Sequence, residues 1–142
     1  MLVAFHVENF KSFKERASLL LEPAKLKEHP ENCHTLTLAE KAYPILKSAV
    51  IYGPNASGKS NLIKAFLHFR NFIITGNQNL DSMEFVVPNF QLDAEKAKMP
   101  AQFEIDCFWK GKNYRYGFSV VSAGIEEEWL YVKEKRESEV FY

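Results

Sequence analysis

Gly53-Pro54-Asn55-Ala56-Ser57-Gly58-Lys59-Ser60 is the segment that most constrains this chain. It fits G-x-x-x-x-G-K-[ST], in which two glycines bracket a tight loop and a lysine and a hydroxyl open a helix. Upstream, Ser48-Ala49-Val50-Ile51-Tyr52 is a continuous small or apolar run, the pattern of a strand covered on both faces. Downstream, Leu62, Ile63, Phe66, Phe69, Phe72 and Ile73 recur at three- and four-residue intervals. That spacing predicts one apolar helical stripe from Lys59 to about Thr75, with Gly76 where the helix should stop. Strand, glycine-bounded loop and helix is the context in which the motif carries chemistry.

The chemistry follows from charge. A helix N-terminus offers unpaired amide hydrogens and about half a positive charge, which suits the dense negative charge of phosphates. Gly53 and Gly58 are expected to take left-handed turns and let the backbone approach phosphate oxygens. The amides of Asn55, Ala56, Ser57, Gly58, Lys59 and Ser60 would form the cradle, with Pro54 and Asn61 flanking it. Lys59 would neutralise the β- and γ-phosphates, and the Ser60 hydroxyl would ligate Mg²⁺. ATP with Mg²⁺ is the expected ligand. A GTPase is the weaker reading, because the guanine-selecting Asn-Lys-x-Asp is nowhere in the sequence.

The rest of the chain reads mainly as strands. Val3, Phe5 and Val7 alternate with polar residues, and Ala17, Leu19 and Leu21 do the same, which predicts an N-terminal hairpin over 1–22. Pro23, Pro30 and Pro44 punctuate a Lys- and Glu-rich surface excursion over 23–46, with a short strand possible at Thr35–Leu38. The phosphate-loop unit occupies 47–76. From 83 to 142 the period returns to two: Phe103, Ile105, Cys107 and Trp109 face Tyr114, Tyr116, Phe118 and Val120 across the Lys110-Gly111-Lys112-Asn113 turn. A third strand runs from Ile125 to Lys133, and a fourth begins at Glu139. The expected fold class is α/β: a mixed sheet around the phosphate-loop helix, with an antiparallel meander at one side.

Composition excludes several classes. No apolar run approaches the ~20 residues that cross a bilayer, and the N-terminus has no basic start with a long apolar core. Two cysteines, Cys33 and Cys107, make no disulfide framework and suggest a reducing, cytoplasmic compartment. The 18 basic and 18 acidic residues cancel, which argues against coating nucleic acid through a large basic surface.

Gly53 to Leu62 resembles the phosphate loop of ABC-type ATPases of the structural-maintenance-of-chromosomes, RecF and overcoming-lysogenization-defect group. Val7-Glu8-Asn9-Phe10-Lys11-Ser12-Phe13 is similar to that group's first strand and the loop after it, which helps hold base and ribose. Phe103 to Phe118 and Glu127-Glu128-Trp129-Leu130-Tyr131 resemble a bacterial AAA-type subgroup linked to phage defence. The resemblance implies an N-terminal lobe spanning 1–142, base or ribose contacts from Lys11 and Phe13, and a Mg²⁺-linked glutamine for which Gln91 is the candidate. It further implies a homodimer sandwiching ATP in the intact family, with DNA or an effector nuclease as partner through other regions, and no membrane.

What such ATPases need and this sequence lacks is equally informative. No stretch after residue 60 has four apolar residues followed by two acids, and no Ser-Gly-Gly signature occurs. Phe103-Glu104-Ile105-Asp106 alternates, which puts both carboxylates on one strand face. No catalytic residue is therefore assigned. The chain is expected to be the front of a longer ATPase, since a strand breaks off at Val140–Tyr142; the alternative is an ATP-sensing regulatory module that does not hydrolyse.

Other polar residues have plainer readings. His29, Cys33 and His34 lack a fourth ligand at metal-binding spacing and read as loop. Cys107 reads as a small core residue. Tyr114-Arg115-Tyr116 reads as a strand with tyrosines facing inward rather than a nucleic-acid contact, and Glu126–Glu128 and 133–137 read as a solvated edge and turn.

Overall fold

The computed structural model describes residues 1–25, 28–75, 87–122, 124–134 and 137–142. The expected helix stop at Gly76, the start of the period-two region at 83–86, the Ala123 turn residue and residues 135–136 lie outside these.

A single six-stranded sheet forms the body. Its strands are β1 (Leu2–Glu8), β2 (Ala17–Leu20), β5 (Ala101–Trp109), β6 (Lys112–Val121), β7 (Gly124–Lys133) and β8 (Glu137–Phe141). Their order is β2-β1-β5-β6-β7-β8, and each neighbouring pair is antiparallel. The hairpin and the meander are thus one continuous sheet, joined where β1 lies along β5 with Phe5 opposite Ile105 and Val7 opposite Phe103. The excursion is more ordered than its prolines suggest. Within it, β3 (Cys33–Leu38) and β4 (Lys41–Leu46) form a separate two-stranded sheet. Pro44 is tolerated in β4 because a two-stranded sheet leaves each strand one edge that needs no donor.

Alternation sorts the large sheet into two faces. Phe5, Val7, Phe103, Phe118 and Val120 point one way and are fully buried. Onto them packs α1 (Lys59–Thr75), which buries Ala65, Phe69 and Phe72. The contact is aromatic: Phe72 stacks on Phe118 at 3.9 Å between ring centroids, Phe69 on Phe118 at 5.5 Å, and Phe66 meets Phe5 edge-on at 5.1 Å. Offset and edge-to-face pairs of this kind add to the simple burial of area. Ile63 and Ile73, which the sequence placed in the buried stripe, lie on exposed parts of the helix instead.

The principal departure concerns residues 48–52. They form no strand, and the sheet has no parallel member among the described residues. Val50 is 86% and Tyr52 90% exposed. The expected mixed sheet around the phosphate-loop helix is therefore replaced by an antiparallel sheet on one side of that helix. An apolar run signals a strand buried on both faces only when neighbouring strands are present to pair with it, and among the described residues no strand pairs with 48–52.

The opposite face of the sheet is polar and laced together. His6 Nδ1 lies 2.7 Å from Ser18 Oγ, Arg115 Nε donates to Asp106 at 3.1 Å, and Arg16 pairs with Glu104 at 2.5 Å. Glu104 also accepts from the Trp129 indole at 2.9 Å, which lays that ring flat over Gly117. On the helix-facing side, at the edge of the core, Glu128, expected to be merely solvated, accepts from the Tyr116 hydroxyl at 2.6 Å. Burial and this bond together push the Tyr116 phenol well above its usual range.

Candidate functional site

The loop at 53–60 and the first turn of α1 enclose a depression of about 360 Å³ lined by residues 55–61. Its backbone shape has local causes. Gly58 takes a left-handed φ of 95° and its carbonyl accepts from the amides of Asn61 (2.9 Å) and Leu62 (3.0 Å), so it closes the first helical turn. Lys59 and Ser60 come too early in the helix to have carbonyls four residues before them within it, which leaves their amides at its positive end.

Two details of the glycine expectation change. Gly53 is not left-handed; a Cβ there would come 3.0 Å from Ser57 Oγ, so glycine provides room rather than a turn. The second left-handed residue is Ala56, at φ 64°. Ser57 turns back to the Pro54 carbonyl at 3.3 Å, completing a tight reversal before Gly58. The amides of Ser57 and Asn61 are thus engaged inside the loop.

Lys59 curls over this reversal. Its ammonium donates to the carbonyls of Gly53 (2.8 Å) and Pro54 (2.7 Å) and lies 3.4 Å from Ser57 Oγ. The cation is therefore held above the depression by neutral acceptors, with no carboxylate of the described residues among the contacts of its ammonium. A phosphate oxygen would be a stronger partner for it than any of these. No cluster of three or more His, Cys, Asp or Glu that could hold a metal occurs among the described residues. The donor set does fit Mg²⁺, which keeps several waters and typically takes only one or two protein ligands beside phosphates. The Ser60 hydroxyl stands at the helix head, one residue into α1.

The turn after β1 reaches this loop. Asn61 Nδ2 donates to Ser12 Oγ at 2.9 Å, and a Cβ on Gly58 would sit 3.3 Å from Ser12 Oγ and 3.7 Å from the Phe13 ring. Phe13 also packs against the core, so its ring touches both the core and the border of the loop. Lys11 does not reach the loop in the same way. Its ammonium lies 5.7 Å from the Phe10 ring centroid and acts electrostatically on His68. Burial between Phe10 and Phe103, with Lys11 second, holds the His68 imidazole below its usual pKa. Gln91 is exposed and donates to the Asn89 carbonyl at 3.1 Å, with no bond to residues 53–61.

Sequence reading took Asn9 and Ser12 only as part of the Val7–Phe13 segment, with no role of their own, and missed Lys14 and Asp93. Lys14 and Asp93 pair at 2.8 Å; that bond and the amides of Lys96 and Glu95 hold the Asp93 carboxyl at about 2. The available signal was a polar Asn9 ending an alternating strand just before an aromatic, a position where asparagine tolerates left-handed backbone.

Residues 48–142, about two thirds of the chain, match the family described as "AAA domain, putative AbiEii toxin, Type IV TA system". No curated protein gives a significant match. The matched span starts at the exposed apolar run and takes in the loop, α1 and the strands β5 to β8.

Proposed function

The chain belongs to this AAA domain family, a P-loop ATPase-related family, and from that premise we propose that it binds Mg-ATP at residues 53–61. The observation that carries the reading is the loop itself. Left-handed Ala56 and Gly58 deliver the unpaired amides of Lys59 and Ser60, the Lys59 ammonium and the Ser60 hydroxyl to one depression. The triphosphate lies across the helix head, Lys59 exchanges its carbonyl partners for β- and γ-phosphate oxygens, and Ser60 ligates Mg²⁺. Phe13, with Ser12 beside it, borders the same loop from the turn after β1 and serves the base or ribose. Lys11 contributes charge from further off.

The intact enzyme is of the ABC, RecF-like type and works as a homodimer. Hydrolysis requires an acidic strand and a signature segment that these 142 residues do not contain. Support comes from the uncovered apolar surface next to the loop: Val50, Ile51 and Tyr52, together with Ile63, Leu67, Ile73 and Ile74 on α1. A further polypeptide segment that pairs a strand with 48–52 covers this surface and brings the acids. The absence of an acid pair after an apolar run also favours a second reading, an ATP sensor that does not turn over. Turnover on adding a complementing C-terminal segment separates the two, because a sensor stays inactive.

The direct test is Lys59→Ala in nucleotide titration followed by calorimetry. Binding of Mg-ATP is expected to be abolished while the circular dichroism spectrum stays unchanged. Equal affinity in the variant overturns the phosphate-cradle assignment.

A further inference from the structure

The turn that borders the phosphate loop is gripped from its far side by one buried side chain. Asn9 directly follows β1, takes a left-handed conformation (φ 51°) and is 1% exposed. Its Nδ2 donates to the carbonyls of Lys96 (2.7 Å) and Met99 (2.8 Å) and approaches that of Pro100 (3.2 Å). Its Oδ1 accepts from the Phe90 amide at 3.3 Å. Every hydrogen-bonding atom of the amide is thus spent on the segment 87–100. The same segment meets the turn again where the Lys11 amide donates to the Pro88 carbonyl at 2.7 Å, and where Lys14 pairs with Asp93. Lys96 closes the set with an ion pair to Glu8 at 2.9 Å.

On its near side the turn meets the phosphate loop through Ser12 and Phe13. Residues 10–13 are therefore clamped between two elements, with Asn9 as the hinge pin. We propose that Asn9 is a positioning residue for the nucleoside half of ATP, holding the Phe10–Phe13 turn at the height from which it meets base and ribose. The inference rests on the Mg-ATP reading above and adds to it the residue that holds the nucleoside-facing turn in place. Residues 53–60 hold the triphosphate, while Asn9 acts through the turn on the rest of the nucleotide. A bare tripolyphosphate therefore needs the loop but not Asn9.

The experiment compares calorimetric affinities for Mg-ATP and Mg-tripolyphosphate in the 142-residue chain and its variants. Asn9→Asp keeps the size but sets a carboxylate against three carbonyls. Asn9→Gly keeps the left-handed backbone and removes the amide. Each is expected to weaken ATP binding about tenfold, the effect of one lost buried hydrogen-bond set, and to leave tripolyphosphate within about twofold. Ser12→Ala, an exposed change on the opposite side of the turn, shifts the ATP-to-tripolyphosphate ratio in the same direction, and it carries the test if the Asn9 variants fail to fold. Lys59→Ala weakens both ligands. Parallel loss of both ligands in the Asn9 or Ser12 variants, or an unchanged ratio, overturns the role of Asn9 while leaving the ATP reading intact. Insensitivity of both ligands to Lys59→Ala overturns the ATP reading and this inference with it.

Discussion

Single residues in this protein are constrained more by close neighbours than by their own propensities. Gly117 is the clearest case. A Cβ there would lie 2.4 Å from the Trp129 ring, and that ring is tethered by its bond to Glu104. The ring cannot simply swing away, so Gly117→Ala forces a shift of β7 against β6 or breaks the indole bond. Destabilisation of about 1–3 kcal/mol is expected from overpacking of this kind, read as a lower urea midpoint with unchanged slope. An unchanged midpoint would show that the indole gives way freely. At the phosphate loop the same logic separates three small residues that look alike in sequence. Gly58 is needed for its dihedral angle, Gly53 for space beside Ser57, and Ala56 carries a left-handed φ although it has a side chain. The motif was legible at once, because its residue types are set by phosphate chemistry. Which glycine does which task was not, since that depends on where Ser57 and Ser12 come to lie.

At the scale of elements, the contact between α1 and the sheet is where aromatic burial concentrates. Phe118 meets Phe72, Phe69 and Phe103 at once and is wholly buried. Phe118→Ala should cost about 3–5 kcal/mol, the usual range for a large aromatic truncated in a core, measured by chemical denaturation; a loss below 1 kcal/mol would mean that the helix repacks. The same contact predicts a pH dependence. His68, held between Phe10 and Phe103, and His6, half-buried on the polar face near Arg16, both have pKa values lowered from 6.5, chiefly by burial. The unfolded chain then binds more protons than the folded one between that value and the lowered folded values. Their contribution is fully present above about pH 6.5 and is lost as pH falls through the folded pKa. The pair His6→Gln and His68→Gln should flatten the fall in stability between pH 7.5 and 5.5, and an identical slope in the double variant would refute the assignment. Helix α1 and the strands of the meander were readable from period alone, since 3.6 and 2 are fixed by backbone geometry. The hairpin β3–β4 was only half visible, because Pro44 reads as a breaker unless the strand is known to have a free edge.

For the molecule as a whole, the exposed run at 48–52 sets the expected behaviour. Tyr52→Ser changes a residue that is 90% exposed. It should leave the stability of the 142-residue chain within about 0.5 kcal/mol, as for other surface substitutions. A loss of several kcal/mol would show that the run is packed in solution. By itself the sequence determined the glycine-bounded family motif at 53–60, the span of α1 and the alternation of the strands, because each follows from local geometry or from a fixed pattern of residue types. Only the tertiary structure decided which sheet those strands join, that the run before the loop stays outside it, and that Asn9 binds the turn to a segment some 80 residues away. Pairing, burial and clamping join residues distant along the chain, and no local pattern in a sequence records which distant partner a backbone edge or an amide will find.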